Sequence, residues 1–316
     1  MRDVNLAKYQ FDYDLTWAGL FVSPDGRVLG RYGGRDAESA DGKVSLKGLR
    51  YAMEAARKAN RERPPPKAAP ERRTVADYPG LKRLGPTACV HCHQVHELQR
   101  DALQARGEWG LDKLWVYPPP ENVGLTLEVD RGNVVARVAP KSAAEKAGLR
   151  QGDVIRTIGG EPVASFADAQ YALHRHESNE PLAAVWLRDG KEMAGKLELA
   201  DGWRKSDISW RWSLRQLEPS PWVHGDDLTS QEKKALGLGE KRLALRQGNF
   251  VTPPARQAGI RQNDIIIGVD GRELEMTGRQ FAVYVKLNYK VGDKVTYNLL
   301  RDGKRVDVEL TLAGRP

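Results

Sequence analysis

Apolar and polar positions change period along the chain, and each change predicts an element. Residues 16–22 and 27–32 are strand-like around the turn Ser23-Pro24-Asp25-Gly26. Residues 45–60 then repeat apolar positions every three or four residues, which predicts a helix carrying Leu46, Leu49, Met53 and Ala56 on one face. Further on, the β-branched runs Asp153-Val154-Ile155-Arg156-Thr157-Ile158 and Asp264-Ile265-Ile266-Ile267-Gly268-Val269 predict buried strands, closed by the turns Gly159-Gly160 and Asp270-Gly271. Each is followed by an amphipathic helix, residues 166–174 and 279–287. A hairpin then carries Asp189-Gly190 or Asp302-Gly303 at its tip.

These elements belong to an internal repeat. Ala147-Gly148-Leu149-Arg150-Gln151-Gly152-Asp153-Val154-Ile155 recurs as Ala258-Gly259-Ile260-Arg261-Gln262-Asn263-Asp264-Ile265-Ile266, and Leu187-Arg188-Asp189-Gly190-Lys191 as Leu300-Arg301-Asp302-Gly303-Lys304. The offsets are 111 and 113 residues, so order and spacing are both kept. Each unit opens with a predicted strand (residues 134–138; 249–251) and a short helix (residues 142–147; 255–258) ending on a glycine, which tolerates a left-handed helix stop. The order is strand, short helix, strand, longer helix, hairpin.

This pattern resembles PDZ domains of the bacterial type, as appended to envelope serine proteases, over residues 120–200 and 226–313. The resemblance implies capture of an extended peptide by an exposed strand edge, with its C-terminal carboxylate on backbone N–H groups of a glycine loop. In the first unit that loop falls on Val123, Gly124, Leu125, Thr126 and Leu127. In the second it falls on Ala235, Leu236, Gly237 and Leu238. A longer insert, residues 239–247, follows there, and a purely structural or docking role for one unit is the alternative.

With 316 residues, 40% hydrophobic and 29% charged, the chain suits two or three globular modules and carries no apolar stretch long enough to span a bilayer. Its net charge of +8 is concentrated in residues 43–73, interleaved with prolines and with Tyr51 as the single aromatic. That predicts a solvated linker and no nucleic-acid partner. Pro64-Pro65-Pro66 with Pro70, and Pro118-Pro119-Pro120, bracket a segment at residues 74–117. Trp203, Trp210, Trp212 and Trp222 mark a connector that reads as a packed joint rather than a ligand platform.

The only two cysteines lie in Cys89-Val90-His91-Cys92-His93, the C-x-x-C-H spacing of c-type haem attachment. In that reading Cys89 and Cys92 form thioethers to haem c and His93 is the proximal iron ligand. His96, three residues on, cannot easily cross to the opposite face. A sixth ligand would come from Met53, Met193, Met276, His174, His176 or His224, or the position stays open. The alternatives are a zinc site on Cys89, Cys92 and His96 with His91 or His93, a redox dithiol, and a structural disulfide.

Tyr9-Gln10-Phe11-Asp12-Tyr13-Asp14-Leu15-Thr16, the phrase Asp25-Gly26-Arg27-Val28-Leu29-Gly30-Arg31-Tyr32-Gly33, the cysteine segment and the two repeats together resemble the bacterial thioredoxin/PDZ domain-containing (seleno)protein family. The resemblance implies an α+β multidomain chain. Its parts are a partial thioredoxin-like β-β-α segment (residues 1–60), a Pro-rich basic linker (61–73), a small, mostly helical C-x-x-C-H segment (74–117), PDZ domain 1 (118–200), a Trp-rich connector (201–225) and PDZ domain 2 (226–316). Each PDZ domain is expected as a partly open β-barrel with two helices. The opening half of the thioredoxin fold, with its redox motif and a signal for export, is expected to have been lost upstream of Met1, as when a UGA codon is read as a stop.

The expected function is an exported scaffold of the periplasm or cell envelope, coupling a haem segment to capture of C-terminal or extended peptides of envelope proteins, with a possible redox partner. The alternatives are a thiol-disulfide or selenium-dependent oxidoreductase and a zinc-stabilised adaptor. With no G-x-S-x-G elbow and no evident Ser, His and Asp set, proteolysis is not expected, and any catalysis is expected to be redox chemistry.

Overall fold

β1 (Ala18–Val22) and β2 (Val28–Gly33) pair antiparallel as a two-stranded hairpin, and α1 (Leu46–Glu62) packs on β2, in the expected order of strand, turn, strand and helix. The computed structural model describes residues 1–62, 71–85, 87–176, 178 and 180–314; most of the proline-rich linker, including Pro64, Pro65, Pro66 and Pro70, lies outside them. The buried face of α1 differs from the expected one. Gly48, Ala52, Ala56 and Ala59 face inward, while Leu46 and Met53 are exposed. Close approach is the reason, since a Cβ on Gly48 would lie 2.3 Å from the Val129 carbonyl oxygen and 2.7 Å from the Tyr32 hydroxyl.

The chain forms two compact units, Met1–Ser213 and Leu214–Pro316, whose boundary falls inside the Trp-rich connector. In the first unit the cysteine segment is no separate domain. α2 (Cys92–Ala105) contributes Val95 and Leu98, together with Val75 and Val90, to a small core shared with Leu6 and Tyr13.

The first repeat carries β3 (Leu125–Leu127) paired with β4 (Val135–Val138), then α3 (Ala143–Lys146), and a four-stranded sheet of order β6-β5-β7-β8. Those strands are β5 (Val154–Ile158), β6 (Glu161–Pro162), β7 (Leu182–Arg188) and β8 (Lys191–Leu197). A single bridge, Val134 to Val154, links the two sheets, which gives the expected partly open barrel. α4 (Phe166–Arg175) covers it with Ala169, Ala172 and Leu173 inward. Trp203 joins this core, so one connector tryptophan is packing, as expected.

The second unit is a six-stranded sheet. Its main path runs β14-β13-β11-β10-β9, through β9 (Gly225–Asp227), β10 (Leu245–Gln247), β11 (Ile265–Val269), β13 (Lys294–Arg301) and β14 (Lys304–Thr311), with β12 (Arg272–Glu273) beside β11. Its helices are α5 (Ser230–Ala235), α6 (Pro253–Ala258) and α7 (Gly278–Asn288). The opening strand expected at residues 249–251 lies instead at β10, because the pairing with β9 and β11 is made there and Thr252 already caps α6.

The two recurring sequence blocks meet in space. In the first unit the Arg188 guanidinium donates to both carboxylate oxygens of Asp153 at 2.8 Å and to the Gly148 carbonyl. In the second, Arg301 does the same to Asp264, at 2.8 and 2.7 Å, and to Gly259. In each unit a bidentate pair ties the hairpin to the helix stop. Both hairpin tips have two successive left-handed residues, as the Asp-Gly pairs predict.

Candidate functional site

β3 leaves one edge open. Among the described residues it pairs only with β4, and a strand edge without a partner is a template for an added chain. The 3-10 turn Pro120–Val123 leads into it, ending on Gly124 at φ +91°, where a Cβ would fall 2.1 Å from that of Ser142. Of the five residues expected here, Val123, Leu125 and Leu127 point into the core, while Thr126 faces the other way, as the period of two requires.

Thr126 lines a cavity of about 420 Å³, with Glu121, Arg137 and Gln170 from the same repeat. Its opposite wall comes from outside the repeat, and sequence reasoning missed it: Arg35, Asp36, Glu38 and Lys43 on one side, Asp207, Trp210 and Arg211 on the other. The lining carries four cationic and four acidic side chains, so it has no net field of one sign. The Trp210 ring is approached by two guanidinium groups, Arg35 at 4.8 Å and Arg211 at 4.5 Å from its centroid.

A buried ionic cluster fixes this wall. Arg211 donates to both oxygens of Asp12, at 2.7 and 2.8 Å, to Asp14 at 3.3 Å, and to the Val116 carbonyl at 2.7 Å. Ser213 donates to Asp14 through both its amide and its hydroxyl, and the His96 imidazole lies 3.4 Å from Asp12. Burial pushes the Asp12 carboxyl up, but the Arg211 charge and the His96 contact outweigh it and hold Asp12 well below the usual range. Asp12, Asp14 and His96 have the spacing of a metal site, yet the guanidinium of Arg211 supplies the cation here.

His96, expected in the zinc alternative, lies against Asp12 in this arrangement. Cys89 and Cys92 are free and exposed, and His91 is exposed, whereas His96 is buried on the inner face of α2, so Cys89, Cys92, His91 and His96 do not converge. Cys92 is the first residue of α2, and the Nδ1 of His93 lies 3.1 Å from Glu97.

In the second unit Leu236, Gly237 and Leu238 sit where α5 ends, not at the head of a strand. The counterpart of β3 is β9, which pairs with β10 as β3 pairs with β4. α5 and the following insert separate the two strands in sequence. β9 carries Asp226 and Asp227, and the Asp227 carboxylate accepts the Gly278 N–H at 2.6 Å at the start of α7.

Two groups on α4 titrate away from their usual values. Burial pushes Asp168 up to about 6 against the opposing Arg31, whose amide donates to it at 2.9 Å. Burial, with Arg204 nearby, pushes His174 down to about 3, stacked 4.1 Å from Tyr117. Between about pH 4 and 6 the folded chain holds a proton on Asp168 that the unfolded chain lacks, so stability falls as pH rises. Between about pH 3 and 6.5 it refuses one that an unfolded histidine takes, so stability falls as pH drops. The two slopes nearly cancel. Urea titrations are expected to show unit 1 of Asp168→Asn losing about 1.4 kcal/mol per pH unit as pH drops from 6 to 4, and His174→Phe losing as much as pH rises over the same window. Parallel flat profiles for both variants would contradict this.

Two PDZ-domain family profiles match the chain, over residues 134–183 and 251–312. Among curated proteins it is similar to a probable periplasmic serine protease do/HhoA-like of Haemophilus influenzae, 31% identical over 184 residues, covering 56% of this chain and 37% of that protein. It is also similar to the periplasmic serine endoprotease DegP of Escherichia coli, 27% identical over 183 residues, 56% of this chain and 36% of that one. A solved structure, the HtrA-type protease AlgWS227A with decapeptide, is 28% identical and covers 30% of this chain and 28% of its own, at a TM-score of 0.26. The chain thus spans somewhat over a third of the curated relatives' length. The two repeats are PDZ domains. The expected function is corrected by these relatives: they are serine proteases, which overturns both the haem-linked redox scaffold with its oxidoreductase and zinc-adaptor alternatives and the exclusion of proteolysis.

Proposed function

We propose that the chain acts in periplasmic proteolysis of the serine-endoprotease kind for which its relatives are named, and that its first PDZ domain is the part that takes hold of polypeptide ends. The observation that carries this reading is the open edge of β3 beside the cavity that Thr126 and Gln170 line. An extended peptide adds to that edge by main-chain hydrogen bonds, with its terminal carboxylate at the turn before Gly124. Its partners are the C-terminal ends of envelope proteins. We assign no carboxylate capture to the second PDZ domain, since Asp226 and Asp227 present like charges at the matching strand.

Calorimetric titration with C-terminal peptides tests the recognition half. Free-acid peptides are expected to bind at least about tenfold tighter than their C-terminal amides, a difference of about 1.4 kcal/mol. Equal binding contradicts carboxylate capture. Degradation of unfolded casein, blocked by a serine-directed fluorophosphonate, tests the proteolytic half, and peptide binding with no cleavage removes that half alone.

A further inference from the structure

We propose that the solvent face of α1 docks the first unit onto an anionic phospholipid surface, with Leu46 and Met53 entering the headgroup layer and the arginines beside them holding the phosphates. This goes beyond the proteolytic and peptide-capture reading and does not depend on it.

α1 is packed the opposite way to a helix that hides its large apolar residues. Gly48, Ala52, Ala56 and Ala59 are buried, while Leu46 is 86% and Met53 53% exposed. Arg50, Arg57 and Arg61 are exposed as well. At 3.6 residues per turn, positions 46, 50, 53, 57 and 61 fall within about a quarter turn of one another, so the outward stripe interleaves apolar and cationic side chains. The whole helix carries five cations and two carboxylates, Glu54 and Glu62, which lie 3.1 Å from Arg50 and 3.9 Å from Lys58. Arg57 and Arg61 have no ion-pair partner among the described residues. The sequence after α1 adds Arg63, Lys67, Arg72 and Arg73 against the single acid Glu71.

A helix lying in a membrane interface needs this combination: apolar side chains that leave water, and long cations whose stems follow them while the charged heads reach phosphate. Charge selects the lipid, since each cation near an anionic surface adds about fivefold in affinity and a zwitterionic surface offers no such gain. An acidic polypeptide would pair with the cations and leave Leu46 and Met53 wet. A nucleic acid would lack a stacking partner, because Tyr51, the one aromatic of α1, is turned aside and donates to Asn133 at 2.9 Å.

Co-sedimentation of the full chain with vesicles tests the docking face, using phosphatidylcholine alone or with a third of it replaced by phosphatidylglycerol. Binding to the anionic vesicles is expected to be at least about tenfold tighter, and to fall as salt rises from about 0.1 to 0.5 M. Arg57→Gln combined with Arg61→Gln is expected to weaken it about 10- to 30-fold. Leu46→Gln combined with Met53→Gln is expected to weaken it about 5- to 10-fold with the salt dependence kept. All four side chains are exposed, so both double variants are expected to keep the wild-type urea midpoint. Equal binding to the two vesicle types, or unchanged affinity in either double variant, overturns the proposal. Binding to polyglutamate or to duplex DNA without binding to vesicles overturns it too, and makes the face a protein or nucleic-acid site. The wild-type vesicle comparison decides even where a variant does not fold, and loss of peptide binding or proteolysis leaves its result standing.

Discussion

Arg211→Met is expected to cost the first unit about 3–5 kcal/mol, because removing one partner of a buried ion pair leaves the others as uncompensated charge. Here Asp12 and Asp14 are both almost fully buried, 2% and 3% exposed, and each accepts from Arg211. The same guanidinium lines the cavity and holds the Val116 carbonyl, so peptide affinity is expected to fall with stability. Seven of the eight tryptophans lie in residues 1–213, which makes urea unfolding followed by tryptophan fluorescence a report on this unit. An unchanged midpoint would mean that the cluster is not buried as described.

Gly124→Ala is expected to abolish peptide binding at the first PDZ domain, with a loss of more than about tenfold in affinity. Two costs combine. A side chain at φ +91° is strained by about 1–2 kcal/mol, and its Cβ collides with Ser142, so the turn that receives the carboxylate must move. Gly148→Ala separates these effects. Its φ is +93° but nothing lies within 4 Å of the added Cβ, so it is expected to lose only the strain of about 1–2 kcal/mol and keep its affinity. Equal affinity losses in the two variants would dissociate binding from the Gly124 turn.

What the sequence disclosed was local. Glycine helix stops, Asp-Gly hairpin tips and β-branched runs are set by backbone preferences within a few residues, and the structure has them where the repeat predicts. The face of α1 was misread because hydrophobicity favours Leu46 and Met53, whereas close packing on β2 admits only Gly48, Ala52, Ala56 and Ala59. The start of the second PDZ domain was misplaced because α5 and its insert separate β9 from β10, strands that sit close together in sequence in the first domain. The cavity was invisible for a different reason. Its residues run from Arg35 to Arg211, and the cluster that anchors it pairs Asp12 with an arginine 199 positions away; no period or motif joins them. The C-x-x-C-H spacing was conspicuous, yet it did not reveal that His96 faces Asp12 and not the thiols.

Hydrogen-deuterium exchange of the full chain with and without a saturating C-terminal peptide tests strand addition most directly. The account predicts slowed exchange over residues 125–127 and at the neighbouring turn, with β9 of the second PDZ domain unaffected. Protection confined to the second domain, or binding with no change at residues 125–127, would contradict it.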